Sequence, residues 1–82
     1  MARLNIKVVD SYSQTALAYV HVDVDGRVLT TGLDGVATFD LPAGATYTIK
    51  VRQVAYRPWT RTIQIPQDAT YEQTVALEKA VY

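Results

Sequence analysis

The sequence predicts an all-β fold, a sandwich or partly open barrel of about seven antiparallel strands. Three observations predict it. Apolar and polar residues alternate with period two along most of the chain. Turn residues interrupt the runs at short intervals: Asp25-Gly26, Asp34-Gly35 and Pro42-Ala43-Gly44. No segment carries the 3.6-residue period of an amphipathic helix.

The first strand is expected over residues 4–9, with Leu4, Ile6 and Val8 on one side. Residues 18–24 alternate strictly, so Ala18, Val20, Val22 and Val24 should face inward and Tyr19, His21 and Asp23 outward. Asp25-Gly26 then supplies the positive φ angles of a type I′ hairpin. A two-residue loop pairs Val24 with Arg27 and Val22 with Leu29, which sends Leu29 toward the core and Val28 outward. Asp34-Gly35 makes a second turn into strand four, Val36 to Leu41, with Ala37, Phe39 and Leu41 inward.

Pro42-Ala43-Gly44 turns the chain into strand five, Thr46 to Val54. There Tyr47, Ile49 and Val51 point inward, while Thr48, Lys50 and Arg52 point outward. Tyr47 follows a proline-glycine turn, a setting in which a ring packs inside and its hydroxyl bonds nearby backbone. Strand six runs from Trp59 to Ile65 and stops at Pro66; strand seven runs from Thr70 to Glu78. All of this fits one domain over residues 1–82, because so short a chain has no room for two.

Composition excludes several classes of chemistry. The chain has no cysteine, which removes disulfides, thiolate metal sites and thiol nucleophiles. It shows neither the apolar core of a signal peptide nor the roughly 20 apolar residues of a membrane-spanning helix. His21 is the only histidine, and on the outward face of its strand it reads as a solvated side chain, without a nucleophile and orienting group beside it. Asp23, Asp25, Asp34 and Asp40 cluster near two turns. They lack the converging loop that calcium requires, and Asp25 and Asp34 are accounted for as turn residues. No catalytic group, metal or cofactor is expected.

Eight basic and eight acidic residues cancel, but unevenly. Residues 50–61 hold Lys50, Arg52, Arg57 and Arg61 and no acid, with Tyr56 and Trp59 among them. Arginine, tyrosine and tryptophan are the types that dominate protein–protein hot spots. This run is therefore the candidate interaction surface, and its expected partner is protein, further copies of this chain included. Nucleic acid fits less well, since the whole domain is neutral. Tyr12, Tyr19, Tyr56 and Trp59 also offer flat faces for a sugar ring, which keeps carbohydrate as an alternative ligand.

The order Ala18-x-Val20-x-Val22, Gly26, Thr30-Thr31, Asp34-Gly35, Phe39, Leu41-Pro42-x-Gly44-x-x-Tyr47-x-Ile49-x-Val51, Ala55-Tyr56 resembles the carboxypeptidase regulatory-like domains. The resemblance covers roughly residues 5–78 and implies a Greek-key, prealbumin-like (transthyretin-like) sandwich. There are two departures. Gly44 and Tyr47 lie one residue further apart than usual, and Ala55 stands where the family usually has glycine.

The family implies mostly non-catalytic roles: accessory domains, cell-surface modules, adhesin or pilus stalks, and carbohydrate-binding relatives. It also implies a place on an extracellular surface or a virion. The hydroxyisourate hydrolases of the transthyretin-like group use several histidines, an arginine and a C-terminal Tyr-Arg-Gly-Ser. This chain has one histidine and ends Glu78-Lys79-Ala80-Val81-Tyr82, so that activity does not carry over. The expected function is a non-catalytic structural or interaction module that self-assembles through sheet edges and charged or aromatic loops. The alternative is a carbohydrate-binding accessory domain of a larger protein.

Overall fold

Period-two alternation has a direct physical outcome: each strand acquires one greasy face, and two sheets must stack to bury these faces. A computed structural model describes residues 1–80 and contains seven strands. They are β1 (Ala2–Asp10), β2 (His21–Val24), β3 (Arg27–Thr30), β4 (Val36–Leu41), β5 (Ala45–Arg52), β6 (Trp59–Ile65) and β7 (Thr70–Leu77). One sheet has the order β4-β1-β7 and the other β3-β2-β5-β6. Val81 and Tyr82, included in the single domain expected from sequence, lie outside the described residues.

The inward sets are those the alternation predicts. Leu4, Ile6 and Val8 of β1, Ala37, Phe39 and Leu41 of β4, and Val75 and Leu77 of β7 line one side of the core. Val22, Val24, Ile49, Val51 and Ile65 line the other. The β2–β3 hairpin takes the expected register, Val24 with Arg27 and Val22 with Leu29. Asp25 and Gly26 have φ of 49° and 88°, as a type I′ turn demands. Tyr47 donates its hydroxyl proton to the Pro42 carbonyl at 2.5 Å, and Tyr71 repeats the device on the Gln67 carbonyl at 2.8 Å.

Three expectations are corrected. The sandwich is not wholly antiparallel: β1 and β7 run parallel, in register from Arg3 with Thr70 to Asp10 with Leu77. Alternation specifies which face a residue takes but not the direction of its neighbour, so the sequence pattern holds no trace of this pairing. Second, strand two begins at His21 rather than Ala18. Tyr19 sits at φ 58°, in the left-handed region, and breaks the extended run. Buried Thr31 holds this kink: its hydroxyl accepts from the Val20 N–H at 2.9 Å and donates to the Leu17 carbonyl at 2.8 Å. Third, Leu29 does not reach the core and is 38% exposed. It pairs with Val22 on the inner side, but β3 is the edge of the wider sheet, where covering from the three-stranded sheet runs out.

Candidate functional site

The six residues of the basic-aromatic run fall on three different aspects of the wider sheet. Lys50 and Arg52 stand on the outer face of β5, opposite Asp23 and His21 of β2. Tyr56 and Arg57 belong to the loop between β5 and β6. Trp59 and Arg61 lie on the inner side of β6, opposite Val51 and Ile49. Trp59 packs half-buried against the core there, and Arg61 emerges at the rim. Lys50, Arg52, Arg57 and Arg61 pair with no carboxylate among the described residues.

The loop 53–58 brings part of this set together. The Tyr56 N–H bonds the Gln53 carbonyl at 3.1 Å, closing a turn whose central residues are Val54 and Ala55. Ala55 has φ 70°. A turn with positive φ at its third residue is type II, which favours glycine there. Where the family usually has glycine, this chain therefore holds a strained alanine in a conformation that glycine adopts freely.

The strained turn is tied down from below. Tyr56 donates its hydroxyl proton to Asp10 Oδ2 at 2.6 Å, across 46 positions of sequence. Asp10 Oδ1 accepts from the backbone N–H groups of Tyr12 at 2.8 Å and Ser13 at 3.1 Å. The Tyr56 hydrogen bond, followed by those from Ser13 and Tyr12, holds the Asp10 carboxyl below its usual range. The same bond to Asp10 raises the Tyr56 phenol. Backbone bonds from Arg57 N–H to the Glu78 carbonyl (2.8 Å) and from Ala80 N–H to the Ala55 carbonyl (2.9 Å) add a second tie.

Anchored in this way, the loop walls a shallow groove of about 370 Å³ with His21, Arg52, Gln53, Val54, Tyr56 and Pro58 along it. Val54 at its lip is 88% exposed. Of the sequence-derived candidates only Arg52 and Tyr56 meet here; Lys50, Arg57, Trp59 and Arg61 lie elsewhere. His21 is exposed, as expected of a solvated side chain, and it lines the groove with them. Asp10, the anchor, is missed by the sequence reading; the one local signal that could have found it is the pattern of an Asx turn, an aspartate followed by Ser-Tyr-Ser.

Among the described residues, no three His, Asp or Glu side chains are grouped as they would be to hold a metal ion. The acidic cluster serves turns: Asp23 accepts from the Gly26 N–H, Asp25 from the Thr48 N–H, and Asp34 from the Val36 N–H. No helix among the described residues is long and apolar enough to cross a membrane.

Two stacked sheets and a shallow groove define a small β-sandwich module. The chain belongs to the carboxypeptidase regulatory-like domain family, whose model matches residues 3–78. Among solved structures it resembles the Bacillus anthracis TIE protein, with 23% identity and a TM-score of 0.78 over 96% of this chain. It also resembles a Bacteroides fragilis protein of unknown function described as membrane-associated, with 18% identity and a TM-score of 0.68 over 99% of this chain. The matched regions span 17% and 29% of those longer proteins. Likeness at such identity shows a shared fold. No curated protein matches.

Proposed function

We propose that the domain is a non-catalytic structural and protein-interaction module of a longer protein, and that it associates with further copies of itself through a sheet edge. A place on a cell-surface filament, pilus or virion accompanies this reading. The strand orders, with successive strands crossing between sheets after β1, β3, β4 and β6, support the Greek-key, prealbumin-like form of the family.

The observation that carries the reading is the open edge of β6. Thr48 directs its own N–H and C=O toward Asp25, on the β2 side. Alternate residues of β5 therefore serve β2 and β6, and on β6 the backbone of Thr60, Thr62 and Gln64 faces away from the sheet. This edge is seven residues long and contains neither proline nor lysine, two common guards against strand addition. It also presents Trp59 and Arg61 of the candidate surface.

Sedimentation velocity tests the proposal. Weight-average mass should rise with concentration, and Thr62→Pro should abolish the rise. Its lost N–H points to solvent, so the fold remains. A strict monomer at millimolar concentration overturns the self-association. The carbohydrate alternative draws on fewer residues. Tyr12 and Tyr19 stand 95% and 65% exposed, while Tyr47, Tyr56, Trp59 and Tyr71 pack against the core. Glycan-array binding lost on Tyr12→Ala and Tyr19→Ala would favour it.

A further inference from the structure

The first and last strands of the domain belong to one sheet. β1 is its central strand and β7 its edge, and they run in the same direction. Strands of eight or nine residues are about 26–30 Å long at 3.3 Å per residue, so the 41 Å dimension of the domain lies along them. β1 therefore begins at the end that carries the turns 42–44 and 66–69. β7 finishes at the opposite end, beside the loop 53–58.

This arrangement determines how a stretching force is carried. Tension on the chain draws β1 toward one end and β7 toward the other. Because the strands are parallel, they are pulled lengthwise past each other, and all hydrogen bonds between them are loaded together. Among the described residues β7 has no other sheet neighbour, so the load crosses this one ladder. Arg3 N–H to the Ala69 carbonyl, at 3.0 Å, closes it at one end; Ser11 N–H to the Leu77 carbonyl, at 2.9 Å, closes it at the other. β4 holds β1 from its far side, in register from Ala2 to Lys7, and Val75 and Leu77 root β7 in the core.

We infer that the β1–β7 ladder is a mechanical clamp that makes this domain resist extension along its axis. The inference rests on the reading of the chain as a structural part of a longer protein. Residues 78–80 behave differently under the same load. The antiparallel bridge of Tyr56 with Lys79 and its neighbouring bonds open one after another, so this segment peels first and the full tension then falls on the ladder.

Single-molecule force spectroscopy tests the clamp in two geometries. In the first, the domain is held by folded handles at its N and C termini. In the second, it is held at the N terminus and at a thiol introduced by Gln67→Cys, which is unique because the chain has no cysteine. Gln67 is exposed and precedes β7 at the end where β1 begins, so this geometry separates the two strands from one end. At equal loading rate the first geometry should rupture at a severalfold higher force, since forced unfolding reports the barrier along the pulled coordinate. Equal forces, or a lower force in the first geometry, overturn the clamp. Neither result depends on association, so sedimentation and rupture force fail separately.

Discussion

Two turns of this molecule solve the same steric problem with different residues. Gly35 and Ala55 both sit in the left-handed region, at φ 76° and 70°. Gly35 is buried against β1: a Cβ built there would lie 2.9 Å from the Val8 carbonyl oxygen and 2.9 Å from the Ala16 Cβ. Its own carbonyl accepts the Val8 N–H at 2.8 Å. Ala55 lies in an exposed loop, where the side chain meets solvent and only the backbone is strained. Glycine is thus required by packing at the first turn, whereas at the second it would serve backbone freedom alone. A loop that tolerates strain must be held by something else, and here it is held by Asp10 and Glu78.

Substitutions can break or sharpen this contrast. The largest effect belongs to the core on which the first turn rests. Phe39→Ala should destabilise by ~3–5 kcal/mol in chemical denaturation, as aromatic truncations in cores do. A change within about half a kcal/mol would place Phe39 among surface residues. Gly35→Ala should cost ~2–4 kcal/mol, since backbone strain and a clash with immovable backbone combine. Ala55→Gly should do the opposite and stabilise by ~1 kcal/mol, by relieving the left-handed penalty of an L-residue. If the two glycine–alanine exchanges gave equal and opposite values, packing would not be what separates the two turns.

The smallest effect is a change in pH response. The lowered Asp10 carboxyl contributes stability that is present above the unfolded carboxylate range, about pH 4, and lost as pH falls through the lower folded value. The raised Tyr56 phenol contributes stability present below about pH 10 and lost as pH rises through the higher folded value. Tyr56→Phe should therefore lower Tm by a constant amount across neutral pH, with the gap narrowing at both extremes. A gap that stayed constant down to pH 2 would show that the bond to Asp10 is not what the phenol supplies.

How far each feature could be read in the sequence depends on the range of the interaction that makes it. Local interactions were legible: the Asp25-Gly26 hairpin with its register, the inward faces of β1 and β4, the Tyr47 hydroxyl on its own turn. Long-range ones were not. The parallel pairing of Arg3–Asp10 with Thr70–Leu77 joins segments more than 60 positions apart, and no residue type signals strand direction. The groove was half legible. The arginines and aromatics drew attention to residues 50–61, but pleating sends Arg52 and Arg61 to opposite sides of the sheet. His21 and Val54 join Arg52 and Tyr56 only because β2 pairs with β5 and the loop curls back. The kink at Tyr19 misled for a related reason: a perfect alternation over residues 18–24 outweighed the bonds of Thr31 with Val20 and Leu17, 11 and 14 positions away, that only the fold provides.

The order in which the pieces become available also matters for a polypeptide made from its N-terminal side. β1 is the first of the seven strands to be synthesised and lies in the middle of its sheet, yet one of its two neighbours, β7, is the last. Until residue 77 has left the ribosome, Leu4, Ile6 and Val8 have one flank uncovered, and the nascent domain must wait with that row of unpaired amides exposed. Completion should come abruptly once β7 arrives, which makes this eight-residue strand the step that commits the domain to its folded state.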